Sequence, residues 1–250
     1  MKKISADEIL QRGIDLMKKK RFKEAENEFE SINQCDTVQY FKAQCYLIDI
    51  YIVEEQWIDV IEVSMWILEK YCSDISKEEA EKIRFKLGYS YLRTGRWKNA
   101  VNILIRVEEH GCKFYDAVRI GLASAYIELD RPQEAVELLL QVSGDNQKRF
   151  DEARNLLGAW CLQKGLGIQA IKAFESVSIK NYRLYLGSRI SLGFLYFRSN
   201  QKSKAIKILK NISKENDADI FDKLYIEAIF ESNGLYKEAV QCCEDVLNAA

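Results

Sequence analysis

Residues 87–107 read Leu87-Gly-Tyr-Ser-Tyr-Leu-Arg-Thr-Gly-Arg-Trp-Lys-Asn-Ala-Val-Asn-Ile-Leu-Ile-Arg-Val107, and this stretch decides the fold. Its apolar and small residues, Leu87, Gly88, Tyr91, Trp97, Ala100, Leu104 and Val107, recur at helical spacing on both sides of Gly95. That is the pattern of two amphipathic helices joined by a tight turn, with a turn residue that tolerates a left-handed backbone. The template returns downstream as Leu122-Ala123, Tyr126, Asp130, Pro132, Ala135, Leu139 and Val142. It returns again as Leu157-Gly158, Cys161, Gly165, Ala170, Phe174 and Val177, then as Leu192-Gly193, Tyr196, Asn200, Ala205, Leu209 and Ile212. Looser copies carry Gly13, Leu16, Phe22, Ala25, Phe29 and Ile32 at one end and Phe230, Gly234, Tyr236, Ala239 and Val246 at the other.

Ala25, Val60, Ala100, Ala135, Ala170, Ala205 and Ala239 mark the seven copies, separated by 35, 40, 35, 35, 35 and 34 residues, and the second copy is the most degenerate. A period of this length is the signature of stacked supersecondary units. The expected organisation is one solenoid over 1–250, with repeats near 6–36, 41–73, 81–111, 116–146, 151–180, 186–215 and 220–249 and about fourteen helices. Gly88 and Ala100 fall where paired helices must cross closely, and a bulky residue at Ala100 or Ala170 is expected to cost about 1–3 kcal/mol. Ser5 with Glu8 and Ser76 with Glu79 fit capping boxes, and Asp130 precedes Pro132, the only proline, in a first helical turn. No alternating polar and apolar run competes as a strand.

The Leu-Gly, Tyr, Gly, Ala, Phe/Leu and Val series at a period near 34 resembles the tetratricopeptide repeat family over residues 6–249. The resemblance implies an all-α fold, a right-handed α-solenoid superhelix of about seven helix-turn-helix repeats. The chain departs from the family pattern by lacking the late proline of each repeat. It also carries a five-residue insertion near Tyr71–Ala80, which is expected to lengthen a helix or a loop. The family includes co-chaperones, secretion chaperones, assembly scaffolds and peptide sensors. The function implied is a non-enzymatic scaffold or adaptor that holds a peptide or helix of a partner protein in its concave groove. A peptide-sensing regulatory module, or a subunit of a larger enzyme or assembly, is the alternative.

Composition narrows the classes further. Thirty-seven basic residues against thirty-eight acidic ones leave a net charge of −1, which speaks against a dedicated nucleic-acid surface. The cluster Lys18-Lys-Lys-Arg21 with Lys23 reads as a solvated face beside the inter-helix turn. No apolar stretch reaches membrane-spanning length and the first residues carry no signal-peptide segment, so the cytoplasm is the expected compartment. The seven cysteines, at 35, 45, 72, 112, 161, 242 and 243, form no Cys-x-x-Cys pair and have one histidine to help them, so no zinc is expected. Cys161 and Cys243 occupy apolar template positions and read as small core residues in a reducing compartment, and the vicinal Cys242-Cys243 pair reads as packing before it reads as a redox switch. His110, with Gly111, reads as a helix-terminal residue and not as an acid–base catalyst. Gly158, Gly165 and Gly167 suggest a phosphate loop only superficially, since they fall on the crossing and turn positions of the fifth copy. No cofactor is called for.

In the family resembled, the first helix of each repeat lines the concave wall. The faces not used by the template then give a candidate partner-binding groove of Leu10, Ile14, Met17, Phe85, Tyr89, Leu92, Arg93, Ile120, Ile127, Asn155, Ile190, Phe194, Phe197 and Arg198, with Cys45, Asp49, Ile52, Ser124, Ala159 and Leu162 beside them. Most are apolar, as at partner sites, unless close winding of the helices covers them. Family members that clamp acidic carboxy-terminal tails need paired asparagines on successive first helices. The matching places here hold Ile14, Asp49, Tyr89, Ser124, Ala159 and Phe194, so an amphipathic helix or extended apolar segment is the better expectation.

Two further features keep step with the repeat. Arg84, Arg119, Arg154 and Arg189, followed by Lys223, form a ladder with Tyr115, Phe150 and Tyr185 four residues earlier in three copies, which places ring and guanidinium on one helix face. Helix support between neighbouring units is the preferred role over an anion-binding stripe. At the carboxy-terminal repeat, Val240, Val246 and Leu247 have no evident cover before Ala250, so an end-to-end contact with a partner or further polypeptide is expected there.

Overall fold

Fourteen helices and no strand make up the described residues, 4–71, 75–107, 114–214 and 218–247, of a computed structural model. Cys72, His110, Gly111 and Cys112 lie outside those residues, as do the side chains of Val246 and Leu247. In chain order the helices are α1 (Ala6–Lys18), α2 (Phe22–Glu30), α3 (Thr37–Val53), α4 (Trp57–Lys70), α5 (Lys77–Arg93), α6 (Trp97–Leu104) and α7 (Tyr115–Glu128). They continue as α8 (Pro132–Leu140), α9 (Gln147–Gln163), α10 (Gly167–Glu175), α11 (Tyr182–Arg198), α12 (Lys202–Ser213), α13 (Ile220–Ser232) and α14 (Tyr236–Leu247). The chain divides into two compact units, 1–132 and 133–250, with the boundary at Pro132, the first residue of α8.

In the first unit, α1 packs on α2, α3 on α4 and α5 on α6, while α1 also meets α3 and α5 meets α7. Its core forms as successive clusters. Leu10, Phe29, Leu47 and Ile50 make the first, Ile48, Val60, Ile67 and Ile83 the second, and Ile61, Leu87, Tyr91 and Ala100 the third. The second unit repeats the scheme, with α9 on α10, α11 on α12, α13 on α14, and α11 against both α9 and α13.

Each helix pair closes at one small residue. The seven marker residues from Ala25 to Ala239 are all buried. On the partner helix, a Cβ added to Gly193 would come within 2.5 Å of Cγ and Cδ2 of Leu209, and one on Gly88 would run into Leu104 in the same way. Such contacts are shorter than any packed side chain tolerates, so the leucine occupies the space that glycine vacates.

The turns are equally regular. Lys20, Glu55, Gly95, Asp130, Gly165, Asn200 and Gly234 all have positive φ, each five residues before its marker. The expectation of glycine, aspartate or asparagine holds at five of these turns, but Lys20 and Glu55 adopt φ of 58° and 57°, where a Cβ is strained. The two exceptions are in the first two repeats, where the surrounding helices impose the turn on residues that do not favour it.

The helix starts follow local chemistry. Ser5 and Glu8, and Ser76 and Glu79, form reciprocal capping boxes, and a third, formed by Asp219 and Asp222, was not anticipated from sequence. The five-residue insertion lengthens the second helix of repeat two. α4 runs to fourteen residues against nine in α2 and eight in α6.

Gly193→Ala is expected to lower unfolding stability by about 1–3 kcal/mol, because overpacking against Leu209 outweighs the gain in helix propensity. Glu55→Gly is expected to raise it by up to about 1 kcal/mol as the left-handed strain is removed. Urea unfolding midpoints of the two variants should move in opposite directions.

Candidate protein-interaction surface

The wall residues are first-helix positions, and each unit places its share separately. In the first unit, Leu10 is buried between helices, while Ile14 and Met17 are half-buried against the first core cluster. On α3 the Asp49 carboxylate pairs with Lys86 Nζ of α5 at 2.7 Å, which closes that part of the wall with an ion pair. On α5, half-buried Phe85 lies with its ring 5.0 Å from that of Phe114. Tyr89 is 39% exposed and meets Trp57 of α4 edge-on, with ring centroids 5.7 Å apart. Leu92 is half-buried and Arg93 is exposed, its guanidinium 5.3 Å from the Trp57 ring and 4.0 Å from Glu55. Ile120 and Ile127 of α7 are half-buried, and the Ser124 hydroxyl donates back to the Ile120 carbonyl.

In the second unit, Asn155 Oδ1 on α9 accepts from the Ser188 hydroxyl on α11 at 3.1 Å. Ile190 and Phe197 are buried, and the Phe230 ring of α13 meets Phe197 edge-on at 6.4 Å. Phe194 is half-buried beneath the exposed Arg198, whose guanidinium lies 5.8 Å from the ring centre. Of the fourteen wall residues, then, Leu10, Ile190 and Phe197 build the wall without presenting surface. Tyr89, Arg93 and Arg198 stand open to solvent.

The arginine ladder takes the supporting role. Arg119 sits 4.7 Å from the Tyr115 ring centre, Arg154 4.7 Å from that of Phe150, and Arg189 4.6 Å from that of Tyr185. Arg189 Nη2 donates to the carbonyls of Glu175 and Val177 at 3.3 and 3.2 Å, which satisfies carbonyls at the end of α10 in the preceding repeat. A second ladder runs three residues ahead of it and was missed from sequence. Glu81, Asp116 and Asp151 keep the period, and buried Asp151 accepts from the Ser178 backbone N–H and from Gln147 Nε2, both at 2.9 Å. The signal was the spacing itself, obscured because Leu186 breaks the series in the sixth repeat.

A larger feature also escaped the sequence. On α13, Ile220, Phe221, Leu224 and Tyr225 are all exposed, Phe221 by 81%. In register with Arg189 and Lys223, Ile220 and Leu224 match Leu186 and Ile190 of α11, which are buried. Val240 on α14 is exposed as expected. The cysteines divide differently from expectation. Cys161 and Cys242 are buried, whereas Cys243 is only half-buried because the closely packed position falls one residue earlier in α14.

The sequence model described as tetratricopeptide repeat matches residues 91–160. A crystal structure of a tetratricopeptide repeat protein from Parabacteroides merdae superposes on 98% of this chain and 93% of its own, with a TM-score of 0.69 at 12% identity. The chain has the tetratricopeptide-repeat fold. Its fold is also shared with the crystal structure of MamA, at a TM-score of 0.53 and 21% identity over 68% of this chain and 92% of that one. A putative kinesin light chain of Podosopora anserina with nearly identical repeats gives a TM-score of 0.54 at 19% identity, over 70% of this chain and 97% of its own. No curated protein sequence matches the chain. Tetratricopeptide repeats generally serve as protein–protein interaction scaffolds, and no helix among the described residues is long and apolar enough to cross a membrane.

Two measurements follow from these contacts. Arg189→Met keeps the aliphatic stem but strips the donors from the α10 carbonyls, and is expected to cost about 1–3 kcal/mol of stability in chemical unfolding. Burial pushes the Cys45 thiol up to about 11. Its alkylation by iodoacetamide should therefore stay slow at neutral pH and accelerate only as the pH approaches that value, read by mass spectrometry of the Cys45 peptide.

Proposed function

We propose that this protein of tetratricopeptide-repeat fold is a non-enzymatic adaptor that holds a peptide or helix of a partner protein against its first-helix faces. Tyr89 carries the proposal. It is the large ring of the wall that is open to solvent, and it is held by Trp57 at its edge with Arg93 close by. A rigid aromatic that reaches solvent while its neighbours fix its rotamer loses little entropy on binding, which is the property of an interface anchor. Ile14, Met17, Phe85, Leu92, Ile120 and Ile127 in the first unit, and Phe194 in the second, supply half-buried apolar surface around such anchors. The buried thiol of Cys161 suits a reducing compartment, which supports the cytoplasm.

A second contact is favoured by the exposed row on α13. Phe221 with Ile220, Leu224 and Tyr225 offers an apolar face to an end-to-end partner. This contact adds to the adaptor role and does not compete with it.

An affinity pull-down from native extract, comparing the wild-type chain with Tyr89→Ala and Phe194→Ala, tests the adaptor role. Loss of a retained protein, with affinity weakened by about 2 kcal/mol or more and helicity unchanged, is the expected outcome. Equal retention by both variants overturns it. Phe221→Lys should lower the apparent mass in light scattering if the α13 face joins copies end to end.

A further inference from the structure

Three residues before each repeat marker the chain carries Phe22, Trp57, Trp97, Pro132, Gly167, Lys202 and Tyr236. In the second repeat Trp57 opens α4, and its ring is received by the next first helix, with Tyr89 against its edge and Arg93 near its centre. Two residues earlier, Glu55 holds the left-handed turn position and brings its carboxylate to Arg93. In the fifth repeat the same turn reads Gly165-Leu166-Gly167, so both the acid and the ring are missing. The receiving helix is retained. Phe194 stands in the place of Tyr89, Arg198 in that of Arg93.

What remains there is a cavity of about 420 Å³, lined among others by Leu162, Leu166, Ile168, Ile171, Leu195 and Arg198. Its size falls within the roughly 300–1,000 Å³ of ordinary ligand sites. A Cβ on Gly167 would meet only Leu195 Cδ2, at 4.0 Å, so the space is open from the turn outward. Arg198 is exposed, touches the Phe194 ring, and forms no ion pair among the described residues.

We propose that this cavity is a recognition pocket for a partner segment of the form acidic-x-aromatic, whose ring enters where Trp57 sits in the second repeat and whose carboxylate pairs with Arg198 as Glu55 does with Arg93. The aliphatic lining desolvates the ring, and a guanidinium at the rim takes both the ring face and the carboxylate. The spacing of acid and ring is set by the turn the ligand replaces. The pocket shares Arg198, Phe194 and the flanking Leu162 with the first-helix faces of the second unit, none of them in the first unit, and stands without the adaptor proposal.

The probe is an acetylated, amidated peptide of residues 53–61, Val-Glu-Glu-Gln-Trp-Ile-Asp-Val-Ile, titrated calorimetrically into the full chain. The Trp57→Ala peptide is expected to bind at least about tenfold more weakly, and the Glu55→Gln peptide about threefold or more. Gly167→Trp supplies the ring from within, at a helix position where α4 and α6 already begin with tryptophan. It should abolish peptide binding with an unchanged or higher thermal midpoint. Arg198→Ala should remove the preference for Glu55 over Gln while keeping the requirement for the ring. Tyr89→Ala, in the first unit, should leave peptide binding intact, which separates failure of this pocket from failure of the wall. Binding that survives Gly167→Trp, binding indifferent to Trp57→Ala, or none up to about 1 mM peptide overturns the proposal. So does N-acetyltryptophan amide binding as tightly as the peptide, which would reassign the pocket to a small aromatic molecule.

Discussion

The close crossing inside each helix pair is the constraint from which the other features follow. Leu104 and Leu209 reach into the space over Gly88 and Gly193, and the buried alanines from Ala25 to Ala239 let the opposing backbones approach. That approach can be made only if the turn reverses the chain within a few residues, which forces one left-handed residue at a fixed distance from each marker. The turn in turn sets where the next helix begins, and so which side chains of one repeat face the next. A single small-against-large contact thus propagates through turn, helix start and stacking surface, and the period of the sequence is its record.

Helix number, pairing and two of the capping boxes were legible because each depends on local spacing that the repeats state several times over. Gly95, Gly165 and Gly234 announce their turns, whereas Lys20 and Glu55 do not, since a left-handed lysine or glutamate is imposed by packing that no local propensity reveals. The wall was legible as a face but not as a surface. Ile190 and Ile120 share one register of the repeat, yet Ile190 is buried and Ile120 remains half-open, a difference that local spacing does not carry. Leu224 shows the converse, because its register matches the buried Ile190 and its exposure belongs to the tertiary setting of α13.

Charged residues in step with the repeat serve the stack. Arg189 satisfies the end of α10, Asp151 binds the Ser178 backbone N–H, and the rings of Tyr115, Phe150 and Tyr185 hold their arginines in place. An anion-binding stripe would require those guanidinium groups to face solvent, and they are partly buried against their own helices instead. Arg198, four residues beyond Phe194, is by contrast exposed and without an ion pair among the described residues, whereas Arg93, four beyond Tyr89, is already met by Glu55.

Recognition in a repeat chain therefore concentrates where the template is broken. A residue that obeys the period is committed to a neighbour that obeys it too, and little of its surface is left over. Where one repeat drops a side chain that another keeps, the neighbour prepared to receive it is left with a shaped and chemically biased vacancy. Trp57 with Glu55 and Gly167 with Gly165 are such a pair, because both turns present an aromatic and an arginine from the following helix but only one fills the space between them. The filled site states the chemistry of its occupant, an acid and a ring two residues apart. The empty one carries the same demand into solvent.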